Sequence, residues 1–394
     1  MIYSITASKD ATIYEGTGAS TDLSTQFMNT GGDEISERGK IISSSQTVNT
    51  YNSRMLLYFP IDWSVIGTAS IWTTASDASF LNMRAAAGAA IPRSHSLSIH
   101  PLSQVWDVGV GRKGNRPKTS DGVSWTNYAG ESSAGQAWLT SSYPTGITGS
   151  NGVTRDGGGT WHTSSVSTYE YNMDTNPNES LDMRVDVNNI LSDWSSSVIT
   201  NKGFIVKLSS SFDGAENLES NKYQYGTIKY FSRNTHTIYP PKLEICWNDR
   251  IYTTGSLEVL NMSDHEGVFF YIKNNRGSYK RGSKIRLYTP GREKYPVKTF
   301  GTTSAELAIK HISTEEEICY SIIDLKTNEV IIPHDSKYTQ LSCHTTLGNY
   351  FEIYADSLFE ERDYRVRLRH APDRENDNSD YSYYDIKDTF KVVR

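Results

Sequence analysis

Short segments rich in β-branched and aromatic residues recur along the whole chain, separated by clusters of glycine, serine, asparagine and aspartate. Because successive side chains of a strand point to opposite faces, such segments fit half-buried strands joined by turns. The clearest examples are residues 11–14, 54–59, 96–102, 203–208, 227–231 and 242–247. A helical period is almost absent. The pattern predicts an all-β protein built from antiparallel sandwiches.

One segment, residues 181–194, departs from this pattern. Its apolar residues fall at positions i, i+3, i+4 and i+7, as on one face of a helix. These residues are Val187, Ile190, Leu191 and Trp194. Asp186 stands where it could cap the first turn. We expect one short helix that packs its apolar face across the end of a sandwich.

The length of 394 residues exceeds what one hydrophobic core usually serves, so two or three domains are expected. A strand entered through Pro240 and Pro241 closes the first part of the chain, and residues 255–261 restart a strand pattern with more charge. The sequence therefore predicts a boundary near Asp249, with domains at residues 1–248 and 249–394. The second is long for one immunoglobulin-like sandwich of about 100 residues and short for two. It is either one enlarged sandwich or two small ones.

Charge and hydropathy exclude several functional classes. The net charge of −6 offers no uniform positive field for phosphates, so we expect no nucleic-acid partner. No apolar run approaches the roughly 18 residues of a membrane span, so we expect a soluble protein without a membrane partner. The chain opens without an apolar secretion signal and closes on an alternating strand at residues 388–394. Together these ends suggest a protein that stays in the cytoplasm where it is made, with one end held in a sheet.

The cysteines Cys246, Cys319 and Cys343 are odd in number and too widely spaced for a zinc knuckle or a redox pair. Each lies in an apolar or aromatic segment, where a free thiol acts as a small buried hydrophobe. This usage is typical of synthesis in a reducing compartment.

The sequence contains no recognisable catalytic or cofactor-binding motif. Residues 109–114 satisfy G-x-G-x-x-G, but Pro117 and the lack of a helical period after it predict a basic loop, not a nucleotide site. The histidines are widely spaced, and no serine occupies a G-x-S-x-G elbow. We therefore predict a protein that is not an enzyme, with no catalytic residue, cofactor or metal assigned. A pair of glycosidase carboxylates, which need not be close in sequence, is the alternative left open.

A calcium site is the second alternative. Asp10, Asp33 and Glu34 could lie near one another and supply oxygen ligands to a loop. The competing interpretation is that these carboxylates cap turns through local hydrogen bonds.

A more specific local signature occurs near the C-terminus, where Leu358 is followed six residues later by Tyr364. This spacing resembles the tyrosine corner of fibronectin type III and related sandwiches, in which the hydroxyl ties the backbone of a turn. The alternative is an ordinary exposed strand with alternating arginines.

The first 248 residues resemble the DNRLRE family, jelly-roll domains related to carbohydrate-binding modules and found in cell-surface and phage proteins. The order and spacing of several short motifs carry the resemblance. These are residues 10–14, residues 53–59 with Arg54 before an apolar run, residues 125–127, residues 185–187 with Trp194, residues 202–206, residues 231–233 and residues 240–241. The long loops between Arg112 and Asn178 depart from the family pattern.

Further segments resemble structural proteins of T-even-like and marine tailed phages. They are residues 29–35, 335–343 and 348–351. The resemblance implies an N-terminal jelly roll followed by immunoglobulin-like units, and a virion structural protein of the neck, tail, baseplate or head. Its implied partners are other virion proteins, arranged in several symmetric copies.

Two surfaces are candidates for contact. One is the loop region at residues 113–178, which contains Trp125, Trp138 and Trp161; the other is a tyrosine-rich hairpin containing Tyr381, Tyr383 and Tyr384. These tyrosines could instead pack on their own domain. The alternative function is a carbohydrate-binding adhesion module, in which the three tryptophans would form a platform for sugar rings. Exposure of those rings to solvent distinguishes the two functions.

Overall fold

We describe the fold from a computed structural model. It describes residues 1–15, 23–42, 50–66, 78–89, 91, 94–115, 117–131, 134–139, 143–150, 157–173, 180–209, 225–296, 308–372 and 381–394.

The chain divides into two compact units. The N-terminal unit comprises the described residues between Ile5 and Glu244, and the C-terminal unit comprises Met1–Ser4 with Ile245–Arg394. The boundary predicted near Asp249 lies a few residues beyond this division. The sequence did not predict that the first four residues belong to the C-terminal unit.

Strands dominate both units, and the protein is all-β with the character of a β-sandwich. The jelly-roll and immunoglobulin-like arrangements stay predictions. Among the described residues, no helix has the length and apolar character needed to cross a membrane.

The described residues before Asp249 form sixteen strands and three α-helices. The strands are β1 (Ile2–Thr6), β2 (Lys9–Tyr14), β3 (Ile35–Ile42), β4 (Thr50–Tyr58), β5 (Ala78–Met83), β6 (Ala85–Ala89), β7 (His95–Pro101), β8 (Asn127–Ala129), β9 (Gln136–Ala137), β10 (Ile147–Ser150), β11 (Gly157–His162), β12 (Ser167–Tyr171), β13 (Met183–Asp186), β14 (Phe204–Leu208), β15 (Gly226–Phe231) and β16 (Lys242–Cys246). The helices are α1 (Leu23–Gln26), α2 (Trp63–Ile66) and α3 (Asn188–Ser195).

The largest sheet of the N-terminal unit has the order β12-β7-β14-β4-β3-β15-β6, and β2 also pairs with β4. Its neighbouring strands are antiparallel. Strand β4 lies near the middle of this sheet, and its apolar run is buried there, with Leu56 and Leu57 completely inaccessible to solvent. The predicted strands at residues 11–14, 54–59 and 203–208 all fall in this sheet, which confirms them, although β4 begins four residues earlier than predicted.

The predicted helix is shorter than expected. It begins at Asn188, and the preceding Met183–Asp186 is strand β13, which pairs antiparallel with β5. The predicted start of the helix was wrong. Met183 and Val185 are buried and alternate with exposed residues, which is the period of a strand. The apolar residues of the predicted face are buried, and the Asp186 carboxylate accepts a hydrogen bond from the Asn188 N–H at 2.8 Å.

In the C-terminal unit, the residues that the structure describes form ten further strands and two short 3₁₀ helices, at His265–Gly267 and Ala355–Ser357. The strands are β17 (Val268–Phe270), β18 (Ser278–Lys280), β19 (Lys284–Tyr288), β20 (Gly291–Glu293), β21 (Glu317–Asp324), β22 (Val330–Ile332), β23 (Ser342–His344), β24 (Gly348–Tyr354), β25 (Arg362–Ala371) and β26 (Ser382–Val393).

These strands form a five-stranded sheet of order β18-β26-β25-β21-β22, a three-stranded sheet of order β19-β24-β23 and the pair β17-β20. Tyr320 of the first sheet stacks on Phe351 of the second, with ring centroids 4.2 Å apart. This contact is central to the core of the unit, because both rings are almost completely buried. The strand predicted at residues 255–261 is wrong: Val259 makes only an isolated bridge to His311.

The predicted tyrosine corner is confirmed. The Tyr364 hydroxyl accepts a hydrogen bond from the Phe359 N–H at 2.8 Å and donates one to the Phe359 carbonyl at 2.9 Å. Tyr364 is fully buried and Leu358 is 4% exposed. One side chain thus satisfies both backbone groups of a residue in the turn before β25.

We expect Tyr364→Phe to lower the free energy of unfolding by about 1–3 kcal/mol, because it leaves both Phe359 backbone groups without their hydroxyl partner. Denaturant unfolding of the variant measures this loss. Tyr295→Phe is the matched control, since Tyr295 is 78% exposed. Equal stability of the two variants would show that the corner contributes nothing.

Candidate functional site

The three tryptophans of the long loop region belong to the hydrophobic core of the N-terminal unit. Trp125, Trp138 and Trp161 are 1%, 2% and 6% exposed, and they pack with residues such as Ile13 and Leu56. These rings therefore cannot form the sugar-stacking platform of the alternative function, and they are not accessible as contacts for other subunits. The tip of this region at residues 151–156 lies outside the described residues.

Arg54 explains how these loops are held. Its guanidinium carbon lies 4.6 Å from the Trp125 ring centroid and 5.3 Å from that of Trp161, and its Nη1 donates to the Gly158 carbonyl. The side chain is 1% exposed. A desolvated guanidinium between aromatic faces is a strong cation–π arrangement. The Arg that marks the resemblance in β4 thus serves the core.

Asn29 is a second buried anchor. Its Nδ2 donates to the carbonyls of Val108 and Val123 at 2.9 and 2.8 Å, and its Oδ1 accepts from the N–H groups of Gly31 and Gly111 at 3.2 and 2.8 Å. The side chain is fully buried. Because the amide uses donors and acceptors together, it holds the loop around residues 108–123 by its backbone.

Gly109 and Gly111 pack closely around this anchor. Gly109 has a φ of +64°, and a Cβ built there would lie 2.5 Å from Asn29 Oδ1. The repeat of glycines therefore serves a tight backbone approach.

The carboxylates considered for calcium have other roles. Asp10 is 2% exposed and accepts hydrogen bonds from the Ser36 hydroxyl at 2.9 Å and the Arg233 N–H at 3.1 Å. Asp33 accepts from the Lys113 N–H at 2.9 Å, and Glu34 lies 3.8 Å from His236. Within the described ranges, no three His, Cys, Asp or Glu side chains come together as a metal site would require.

Burial raises the pKa of the Asp10 carboxyl to about 6, against the hydrogen bonds from Ser36 and Arg233, which favour the charged form. The cysteines Cys246, Cys319 and Cys343 are free and buried, as the sequence predicts. Burial raises the pKa of Cys343 to about 11, so this thiol is protonated at neutral pH and a poor nucleophile.

A cleft in the N-terminal unit is the candidate binding site. It encloses about 340 Å³ beside strands β2, β3 and β4. Its walls are Tyr14, Glu15, Thr25, Met28, Glu37, Gly39, Asn52, Ser53, Lys113, Lys118 and Thr227. The sequence analysis missed this site because its residues come from separate strands and a loop, and only the three-dimensional pairing of those strands assembles them.

Hydrogen bonds fix the polar groups of the cleft. Glu37 Oε2 accepts from Lys113 Nζ at 2.7 Å and from the Tyr14 hydroxyl at 3.3 Å. Asn52 Nδ2 donates to Glu15 Oε2 at 3.0 Å. Lys113 Nζ also lies 4.6 Å from the Tyr14 ring centroid. Burial and the neighbouring Glu37 raise the pKa of Tyr14 well above its usual value, so the phenol stays protonated and donates.

The second candidate surface lies on the outer side of the five-stranded sheet of the C-terminal unit. We call it the tyrosine face, and it consists of His334, Arg367, Arg369, Tyr381, Tyr383 and Asp385. Tyr381 and Tyr383 are 39% and 49% exposed. The Tyr383 ring lies edge-on to His334 at 5.8 Å, and the Arg369 guanidinium lies 4.4 Å from the Tyr381 ring centroid. Residues 373–380, just before these tyrosines, lie outside the described residues.

The charges of this face are paired. Arg367 makes two hydrogen bonds to the Asp385 carboxylate at 2.7 and 3.1 Å, and Arg369 bonds Glu317 at 2.7 Å. Burial and the two arginines lower the pKa of His334 to about 4, so its ring is neutral at pH 7. The third tyrosine of the predicted hairpin, Tyr384, turns to its own unit, where it packs edge-on against Phe270 at 5.0 Å.

Comparison with known proteins gives no relative: no family model, no curated protein and no solved structure matches the chain.

Asn29→Asp keeps the two acceptor bonds but cannot donate to the carbonyls of Val108 and Val123. We expect the free energy of unfolding to fall by about 2–4 kcal/mol, because two buried acceptors lose their donors and face a new charge. Denaturant unfolding measures the change. Asn261→Asp is the matched control, because Asn261 is exposed and its Oδ1 accepts a hydrogen bond from the Ser263 N–H, which aspartate can also accept. A similar small loss in both variants would contradict this role of Asn29.

Asp10 makes stability depend on pH. Its folded pKa of about 6 exceeds the ordinary aspartate pKa of 3.8, so the folded state binds more protons between these values. Its contribution is therefore most favourable below pH 4 and declines as the pH rises to about 6. Since one pKa unit corresponds to about 1.4 kcal/mol, the total decline is about 3 kcal/mol.

Asp10→Asn removes this proton uptake while keeping an oxygen acceptor. Unfolding titrations from pH 4.5 to 7.5 should show the stability of the native chain falling relative to the variant as pH rises. Asp363→Asn, at an exposed position of β25, should follow the native chain throughout. Parallel curves for the native chain and Asp10→Asn would refute the assignment.

Proposed function

We propose that the chain is a structural protein of a tailed-phage virion that acts through protein–protein assembly. The observation that carries the proposal is the tyrosine face. It keeps two large aromatic side chains, Tyr381 and Tyr383, exposed beside Arg367 and Arg369 on the five-stranded sheet. Tyrosine and arginine are enriched among the residues that contribute most to protein interfaces.

The rigidity of this face also supports assembly. Tyr383 lies opposite Arg369 in the register of β26 with β25, and Tyr381 is held by a cation–π contact. Side chains that are already ordered lose little conformational entropy when a partner covers them. A pre-ordered aromatic surface therefore favours binding of a partner.

The resemblance of the sequence to phage structural proteins supplies the class of particle. The proposed partners are other virion proteins, and several copies in a cyclic arrangement would each present the same face. Assembly in the virion, after synthesis in the host cytoplasm, is the location that follows from this proposal. It assigns no enzymatic activity to the chain.

The test is incorporation into particles. In phage carrying Tyr381→Ser with Tyr383→Ser, we expect the amount of the chain per purified particle, measured by quantitative mass spectrometry, to fall at least severalfold. Both residues are exposed, so the variant should fold with nearly native stability. The loss then reports the contact.

Tyr295→Ser is the matched control, because Tyr295 is 78% exposed in the same unit and lies outside the tyrosine face. Absence of the native chain from purified particles would reject the proposed function altogether. Normal incorporation of the double variant would reject the tyrosine face as the assembly surface.

A further inference from the structure

The cleft bounded by Tyr14 and Glu37 has the dimensions of a small-molecule site. Its volume of about 340 Å³ lies at the lower end of the range for ligand pockets, about 300–1,000 Å³. Glu37 is only 14% exposed, whereas Lys113 at the rim is 49% exposed. The cleft therefore has a sheltered polar floor and an accessible edge, and it is large enough for one small ring.

The charges of the cleft favour a neutral ligand. Its walls contain two carboxylates, Glu15 and Glu37, and two ammonium groups, Lys113 and Lys118, so its formal charge is zero. Lys113 is already paired with Glu37 at 2.7 Å. An anion such as phosphate would meet both carboxylates, and a cation would meet both lysines. Neither sign of charge has an electrostatic advantage here.

The polar groups are suited to hydroxyl groups. A carboxylate offers about four acceptor positions, and the two donors at Glu37 Oε2 leave capacity for further donors. The Ser53 Oγ accepts from the Gly39 N–H at 2.7 Å, so its own hydrogen can still be donated. A ligand with adjacent hydroxyl groups, each of which can donate and accept a hydrogen bond, matches this combination of acceptors and donors.

The remaining walls are apolar. Met28 is 2% exposed, and the Tyr14 ring and the threonines Thr25 and Thr227 complete the lining. A pyranose presents carbon–hydrogen groups on its ring faces and hydroxyls around its edge, so it can contact both kinds of wall at once. Fixed hydrogen bonds at Glu37 and Asn52 hold the site ready before a ligand arrives.

We propose that this cleft binds one neutral hexose unit of a saccharide, with Glu37 as the principal acceptor for its hydroxyls. The site is independent of the tyrosine face and of the proposed role in assembly. It assigns glycan contact to strands β2, β3 and β4, in place of the buried tryptophans.

Saturation-transfer NMR with the full-length chain tests the proposal, with glucose, galactose and mannose as neutral probes and glucuronate as the charged comparison. We expect transfer to at least one neutral hexose and weaker binding of glucuronate. Glu37→Gln should weaken hexose binding about tenfold or more, as expected for loss of a charged hydrogen-bond acceptor. Glu170→Gln, which makes the same change at an exposed position of β12, should bind like the native chain.

Ser53→Ala provides a second variant should Glu37→Gln fail to fold, and we expect it also to weaken binding because it removes a hydroxyl donor of the cleft. The proposal is overturned if no neutral hexose binds the folded native chain, if glucuronate binds more tightly than the hexoses, or if every foldable cleft variant binds as the native chain does. Each of these results leaves the incorporation experiment on the tyrosine face unaffected.

Discussion

The burial of the Arg54 guanidinium between Trp125 and Trp161 is the contact on which the N-terminal unit depends. A charged group at this depth is costly unless aromatic faces and a carbonyl compensate it, and the loops supply all three partners. The long glycine-rich loops are thereby tied to the central strand β4 of the largest sheet. Asn29 also holds the loop region, through hydrogen bonds between its side-chain amide and the backbone of the loop. Two buried polar side chains, Arg54 and Asn29, thus hold the irregular segments of the N-terminal unit in place.

The predictability of each feature follows from the range of the interactions that form it. The strands at residues 11–14 and 203–208 could be predicted because alternation is local, and the tyrosine corner could be predicted because six residues contain both its turn and its hydroxyl. The start of helix α3 could not, since pairing with β5 decides that Met183–Asp186 is a strand. The Trp125 and Trp161 rings pack against Arg54, which is far away in sequence. The residues of the cleft meet only after β2, β3 and β4 pair.

The two candidate surfaces differ in their chemistry. The cleft combines a sheltered floor with balanced charges, as the proposed site for a small polar ring requires. The tyrosine face is open and aromatic, and it suits a broad partner. Adhesion to a glycan and incorporation into a particle are therefore compatible in one polypeptide, because they would use residues of different units.

Three arginines of strand β25 are paired with carboxylates: Arg362 with Asp324, Arg367 with Asp385 and Arg369 with Glu317. Arg365 bonds the neutral amide of Asn328 instead. Cations that are paired with carboxylates project little electric field into the surrounding water. A subunit approaching the paired arginines of the tyrosine face would not be steered from a distance, and its rate of association would change little with ionic strength. Recognition at such a surface would rest on shape at close range, which is an advantage where many highly charged molecules compete for encounter.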